Sequence, residues 1–131
     1  MNPRLVISSA AIFFVWSILD MLIHGYCLMD LYVQTAHLWR PEAQMKPEFI
    51  YAVTIIFSVC FVAIYHCFVS NKSLSAGIKL GVLFGIISGS SMGFGTYAYT
   101  PIPFELAVYW FLTGFGKTLA AGAIVGALVK K

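Results

Sequence analysis

The sequence predicts an all-α membrane protein, a bundle of four transmembrane helices joined by short loops, with both termini in the cytoplasm. Composition is the first reason. Of 131 residues, 60% are hydrophobic and 10% charged, with a mean hydropathy of +0.88. Soluble domains carry about 25% charged residues, so this is the balance of a chain embedded in lipid. Distribution is the second. The apolar residues gather into four runs, each longer than the ~20 residues that a helix needs to cross ~30 Å of hydrocarbon. Third, the connections are short, so one domain is expected over residues 1–131, with lipid and other membrane chains as its partners and no nucleic acid.

The first run covers residues 5 to about 32. Arg4 precedes it as in a signal peptide, but the run is too long and no small-x-small cleavage site follows. An uncleaved first span is therefore expected. The second run covers about 49–70, the third about 78–99 and the fourth 104–129. The loop at residues 34–47 is the only sizeable one. It contains His37, Trp39, Arg40, Glu42 and Met45, and its Leu38 and Trp39 are expected to hold it on the membrane surface. Asn71-Lys72-Ser73 reads as a tight turn, and Pro101-Ile102-Pro103 as a stiff one.

Four spans put both termini on one side. That side would hold Arg4, Lys72, Lys79, Lys130 and Lys131, against Arg40 and Lys46 opposite. The excess favours cytoplasmic termini, since basic residues accumulate on the cytoplasmic face. Tyr26, Tyr32, Trp39, Tyr51, Tyr97, Tyr99, Tyr109 and Trp110 all map to the outer half. They read mainly as an interfacial belt, and secondarily as a partner surface.

The third run carries Gly77, Gly81, Gly85, Gly89 and Gly93, and the fourth carries Gly114, Thr118, Gly122 and Gly126, all spaced by four. That spacing keeps small residues near one helix face, where two backbones can approach closely. A glycine zipper between these helices is expected. Because the face drifts slowly, both stripes are not expected to be consumed by a single crossing, which leaves one for an oligomer. A nucleotide-binding reading fails, because Gly93-Phe94-Gly95 ends a span and follows no strand.

Two charges lie deep in the runs. Lys117 is midway along residues 105–129, which hold no other charge between their ends, and Asp20 is in the first run. A lysine at bilayer mid-depth costs at least ~2.5–3.5 kcal/mol unless it is solvated or neutralised. Counting ~1.5 Å per residue from the cytoplasmic side puts Lys117 at ~18 Å, Asp20 at ~22 Å, and Ser88 and Ser91 at ~15–20 Å. Ser58 falls near the same level. Asp20 and Lys117 are expected to pair inside the bundle, either as scaffolding or as part of a path for protons or solutes, the third reading being that Lys117 reaches toward water or a partner chain.

Asp20, His24 and Cys27 share a face at i, i+4 and i+7, with Met21 beside them. Such donors suit a transition metal such as copper, but no repeated ligand motif supports one. No resident cofactor is expected beyond bound lipid. Haem is disfavoured because His24 and His66 lie ~10–15 Å apart in depth. No catalytic set is found, and no Gly-x-Ser-x-Gly elbow. The three cysteines, Cys27, Cys60 and Cys67, all fall within runs and read as buried apolar residues rather than disulfide partners.

The stretch from His24-Gly25-Tyr26-Cys27 through Thr35-Ala36-His37-Leu38-Trp39-Arg40-Pro41-Glu42, with Tyr97-Ala98-Tyr99-Thr100-Pro101-Ile102-Pro103, resembles small four-span bacterial membrane proteins of unassigned function. That resemblance implies the bacterial inner membrane and carries over no functional residue. The expected function is an accessory or structural subunit of a larger membrane assembly or homo-oligomer. The alternatives are a small proton, ion or solute transporter or channel built on Asp20, His24 and Lys117, and a metal- or redox-handling protein using His24 and Cys27.

Overall fold

The computed structural model describes residues 2–129. Lys130 and Lys131, which enter the charge argument above, lie outside the described residues. Five α-helices follow one another: α1 Pro3–Leu22, α2 Met29–Gln34, α3 Pro47–Phe68, α4 Leu74–Ser90 and α5 Phe104–Leu128. Four helical stretches are long and apolar enough to cross a membrane: Pro3–Cys27, Pro47–Phe68, Leu74–Gly95 and Phe104–Leu128. Among the described residues there is no strand. The chain is an all-α, four-span bundle.

Local chemistry sets the ends. Asn2 Oδ1 accepts from the Arg4 amide at 3.0 Å, and Pro3 occupies the first turn, where its missing N–H costs nothing. Pro47 opens α3 in the same way. Ser73 Oγ caps α4 by accepting from the Ala76 amide. The phenol of Tyr65 accepts from the Ser73 amide and donates to the Ser73 carbonyl, both at 2.9 Å, and so pins the end of α3 to the start of α4.

The first span departs from the single helix that the hydrophobic run suggested. Beyond Leu22 the helix widens into one π turn, Ile23–Cys27. It then breaks at Leu28, where φ is −103° and ψ 6°. Apolarity reports what a segment is dissolved in and not whether its hydrogen-bond ladder is continuous. After the break, α2 folds back over the bundle. A second π turn, Ser91–Gly95, extends α4 at the same loop-bearing end.

The core has two storeys. The one nearer the termini joins Ile12 and Trp16 of α1, Phe61, Val62 and Tyr65 of α3, and Ala121 and Val125 of α5. Phe84 of α4 reaches it by meeting Phe61 edge-on, with centroids 5.3 Å apart. At the loop end, Leu28, Ile102, Leu106, Ala107 and Trp110 form the second storey, under Leu31, Tyr32, Leu38 and Trp39. Helix α3 takes no part in that storey. Its first turns, with Phe49, Ile50, Tyr51 and Val53, are exposed.

Helix α4 lies against α5 along its length. A Cβ on Gly81 would fall 2.5 Å from the Thr118 carbonyl oxygen, on Gly77 2.8 Å from Gly126 Cα, and on Gly89 2.9 Å from the Phe111 carbonyl oxygen. Gly85 and Gly93 face α5 in the same way, at Phe115 and Thr118 and at Ala107 and Phe111. On α5, Gly122 meets Gly77 and Gly81, Gly126 meets Leu74, and Gly114 stands 3.6 Å from Gly89 Cα. Both stripes are thus occupied inside one chain, and the expectation that drift leaves one free is corrected. A stripe whose period exceeds 3.6 residues stays in contact when two helices wind round each other right-handedly.

Candidate functional site

The site lies between the two storeys. Trp16, Asp20 and His24 are spaced by four on the first span and point toward α5. Lys117 comes from the middle of α5. Its Nζ lies 2.5 Å from Asp20 Oδ1, with both side chains largely buried. The same ammonium stands 4.8 Å above the Trp16 ring, and Trp16 Nε1 donates to the Lys117 carbonyl at 2.7 Å. A carboxylate and an aromatic face together stabilise a cation that hydrocarbon alone would not tolerate, and the indole N–H holds the Lys117 backbone beside them.

His24 extends the cluster toward the loop end. Its Nε2 is 3.7 Å from Asp20 Oδ1, too long for a hydrogen bond and an ion pair only when the imidazole is protonated. Its Nδ1 is 2.6 Å from the Tyr32 hydroxyl. Trp110 Nε1 donates to that same hydroxyl at 2.8 Å. An indole N–H only donates, so the Tyr32 oxygen is the acceptor there, which favours its own hydrogen turning to His24 Nδ1. In that arrangement a neutral His24 carries its proton on Nε2, facing Asp20.

The loop covers this end. Trp39 packs edge-on to Tyr32, with centroids 5.8 Å apart, and lies 6.0 Å from Trp110. Its Nε1 donates to Thr35 Oγ1, which itself donates to the Leu31 carbonyl. On the α3 side a recess of about 220 Å³ reaches Asp20 between α1 and α3, bounded by Ser17, Met21, Pro47, Ile50, Tyr51 and Thr54. The Ser17 hydroxyl is buried there with no hydrogen-bond partner.

The other residues singled out in the sequence are not gathered here. Ser88 donates to the carbonyl of Phe84 on its own helix. Ser91 is exposed in the π turn of the third span. Ser58 is buried and donates to Thr54 of its own helix. Cys27, Cys60 and Cys67 are free and on the outside of the bundle, which corrects the reading of them as buried. Among the described residues no three His, Cys, Asp or Glu side chains come together in a group that could hold a metal.

Sequence reasoning missed Trp16, Tyr32 and Trp110 as members of this cluster. The spacing of four from Trp16 through Asp20 to His24 was a readable signal. Tyr32 and Trp110 carried none, because an aromatic near a span end has the same sequence signature whether it faces headgroups or a histidine. No family model, curated protein or solved structure matches the chain.

Proposed function

We propose that this chain is an accessory or structural subunit of a larger membrane assembly, in which Asp20 and Lys117 fix how α1 and α5 face each other. The observation that carries the reading is the closed storey on the terminal side of the pair. Ile12, Tyr65, Ala121 and Val125 are each 0% exposed there, and Phe61 and Val62 close to it. Ser8, Ser58 and Thr118 on that side are bonded to carbonyls of their own helices. Among the described residues one chain therefore offers no continuous polar route from the pair to the terminal end. The matching orientation places both termini in the cytoplasm and residues 34–47 outside, in a bacterial plasma membrane. The excess of basic residues beside the termini supports it.

A partner or second copy would seat away from α4 and α5, whose glycines already face each other. The candidate face is the apolar groove of about 480 Å³ between α1 and α3, lined by Val6, Ser9, Phe13, Ile55 and Ser58 among others. A photo-crosslinker at Ile55 should capture a protein chain in native membranes, while one at exposed Leu112 of α5 should capture lipid alone. If neither site captures protein and the purified chain collapses a proton gradient in liposomes, the subunit reading fails. The recess that reaches Asp20 from the loop end favours one second reading, a small proton, ion or solute carrier.

A further inference from the structure

We propose that His24 is a proton-accepting centre loaded from the loop end of the bundle through the Tyr32 hydroxyl. This stands whether or not the chain is a subunit of something larger. The geometry is a directed chain of donors. Trp110 Nε1 is 2.8 Å from the Tyr32 oxygen and Tyr32 is 2.6 Å from His24 Nδ1. Trp110 donates into one lone pair of the phenol, which polarises the phenol's own O–H and favours its donation to Nδ1 over the reverse. The Nδ1 edge of His24 is covered by Tyr32, so the phenol is the route to that atom.

The step balances simply. Hydronium at the loop surface gives a proton to the Tyr32 oxygen while the Tyr32 hydrogen passes to His24 Nδ1. One O–H bond breaks and one N–H bond forms at the phenol–imidazole contact, and a new O–H bond replaces the first. Water is released, Tyr32 ends neutral and His24 ends as imidazolium. The Tyr32 oxygen then accepts from both Trp110 and His24, and its new hydrogen turns outward. The titratable and charged groups facing His24 are Asp20 on its own span, Tyr32 on α2 and Lys117 on α5. With His24 charged, Asp20 is shared between two cations, and its hold on Lys117 weakens. Proton uptake at the loop end is thereby coupled to the contact between α1 and α5.

Nitrogen NMR on the ¹⁵N-histidine-labelled chain in lipid nanodiscs tests this, with His24→Gln assigning the resonance. The native protein should show neutral His24 with its hydrogen on Nε2 and a bare Nδ1. Tyr32→Phe should slow proton exchange at His24 on the order of a hundredfold, the usual contribution of a positioned proton donor. Tyr97→Phe, at an exposed tyrosine of the same end, should leave it unchanged. Trp110→Phe keeps the phenol but frees its lone pair, so both neutral forms of His24 should become populated. That variant also covers the case in which Tyr32→Phe does not fold. A native Nδ1–H form, exchange unaltered by Tyr32→Phe, or an unchanged form in Trp110→Phe would each overturn the proposal.

Discussion

Lys117 would be the most expensive residue in the chain if it stood alone. With Asp20 at 2.5 Å and Trp16 beneath it, its charge is matched and its hydrogens are directed. Removing one partner of a buried pair costs about 3–5 kcal/mol, because the other charge stays behind. Here about a fifth of each side chain remains exposed, so the low end applies. Asp20→Asn and Lys117→Met should each lower the melting temperature in detergent, and the double variant should regain part of the loss. Strictly additive losses would mean that the two groups do not interact. Trp16→Phe keeps the aromatic face but loses the bond to the Lys117 carbonyl, and should cost about 1 kcal/mol in the same assay. A variant that melts with the native chain would assign no stability to that bond. That Asp20 and Lys117 would meet was legible because charge in an apolar run stands out and helical rise is constant. The roles of Tyr32 and Trp110 were not, since their partners are decided by how α2 folds back after the break at Leu28.

At the scale of elements, the contact between α4 and α5 turns a spacing rule into a volume constraint. Gly85→Leu or Gly89→Leu should lower thermal stability in detergent far more than Ile86→Leu, which sits on the exposed side of α4 and conserves volume. Gly116 supplies an internal contrast, because nothing lies within 4 Å of a Cβ placed there. Gly116→Ala should raise stability by about 0.5–1 kcal/mol through backbone entropy alone. Equal melting of Gly89→Leu and Ile86→Leu would detach α4 from α5 and undo the packing described above. The facing of the stripes could be read from Gly77 to Gly93 and from Gly114 to Gly126. How completely one chain uses them could not, because residue spacing alone does not say how two helices wind.

For the whole molecule, four spans and their approximate limits were evident from hydropathy, since lipid demands about 20 apolar residues per crossing. The π turns, the short α2 and the departure of α3 from the loop-end core were not, for hydropathy is blind to helix continuity and to which neighbour a helix chooses. Orientation is a prediction at this scale. In a chain whose Cys27, Cys60 and Cys67 are replaced by serine, a single cysteine at exposed Gln44 should react with a membrane-impermeant reagent on intact cells. Reaction only after permeabilisation would turn the molecule over and place Tyr32 and His24 toward the cytoplasm.

Helix α3 is pinned at one end by Tyr65 and Ser73 and left without core partners at the other. That makes it a lever with its fulcrum at the terminal end. From Tyr65 to Pro47 the arm is about 27 Å, so a tilt of ~10° carries its tip ~5 Å. Asp20 lies partway along the gap that this swing widens or closes. Lateral pressure in the leaflet around the loop end is then expected to act on the carboxylate as a mechanical input, delivered without any ligand. Spin labels at Met21 and Ile50 should lie closer together in a bilayer that squeezes that leaflet and further apart in one that relaxes it. A fixed separation would mean that α3 is held by more than its pinned end.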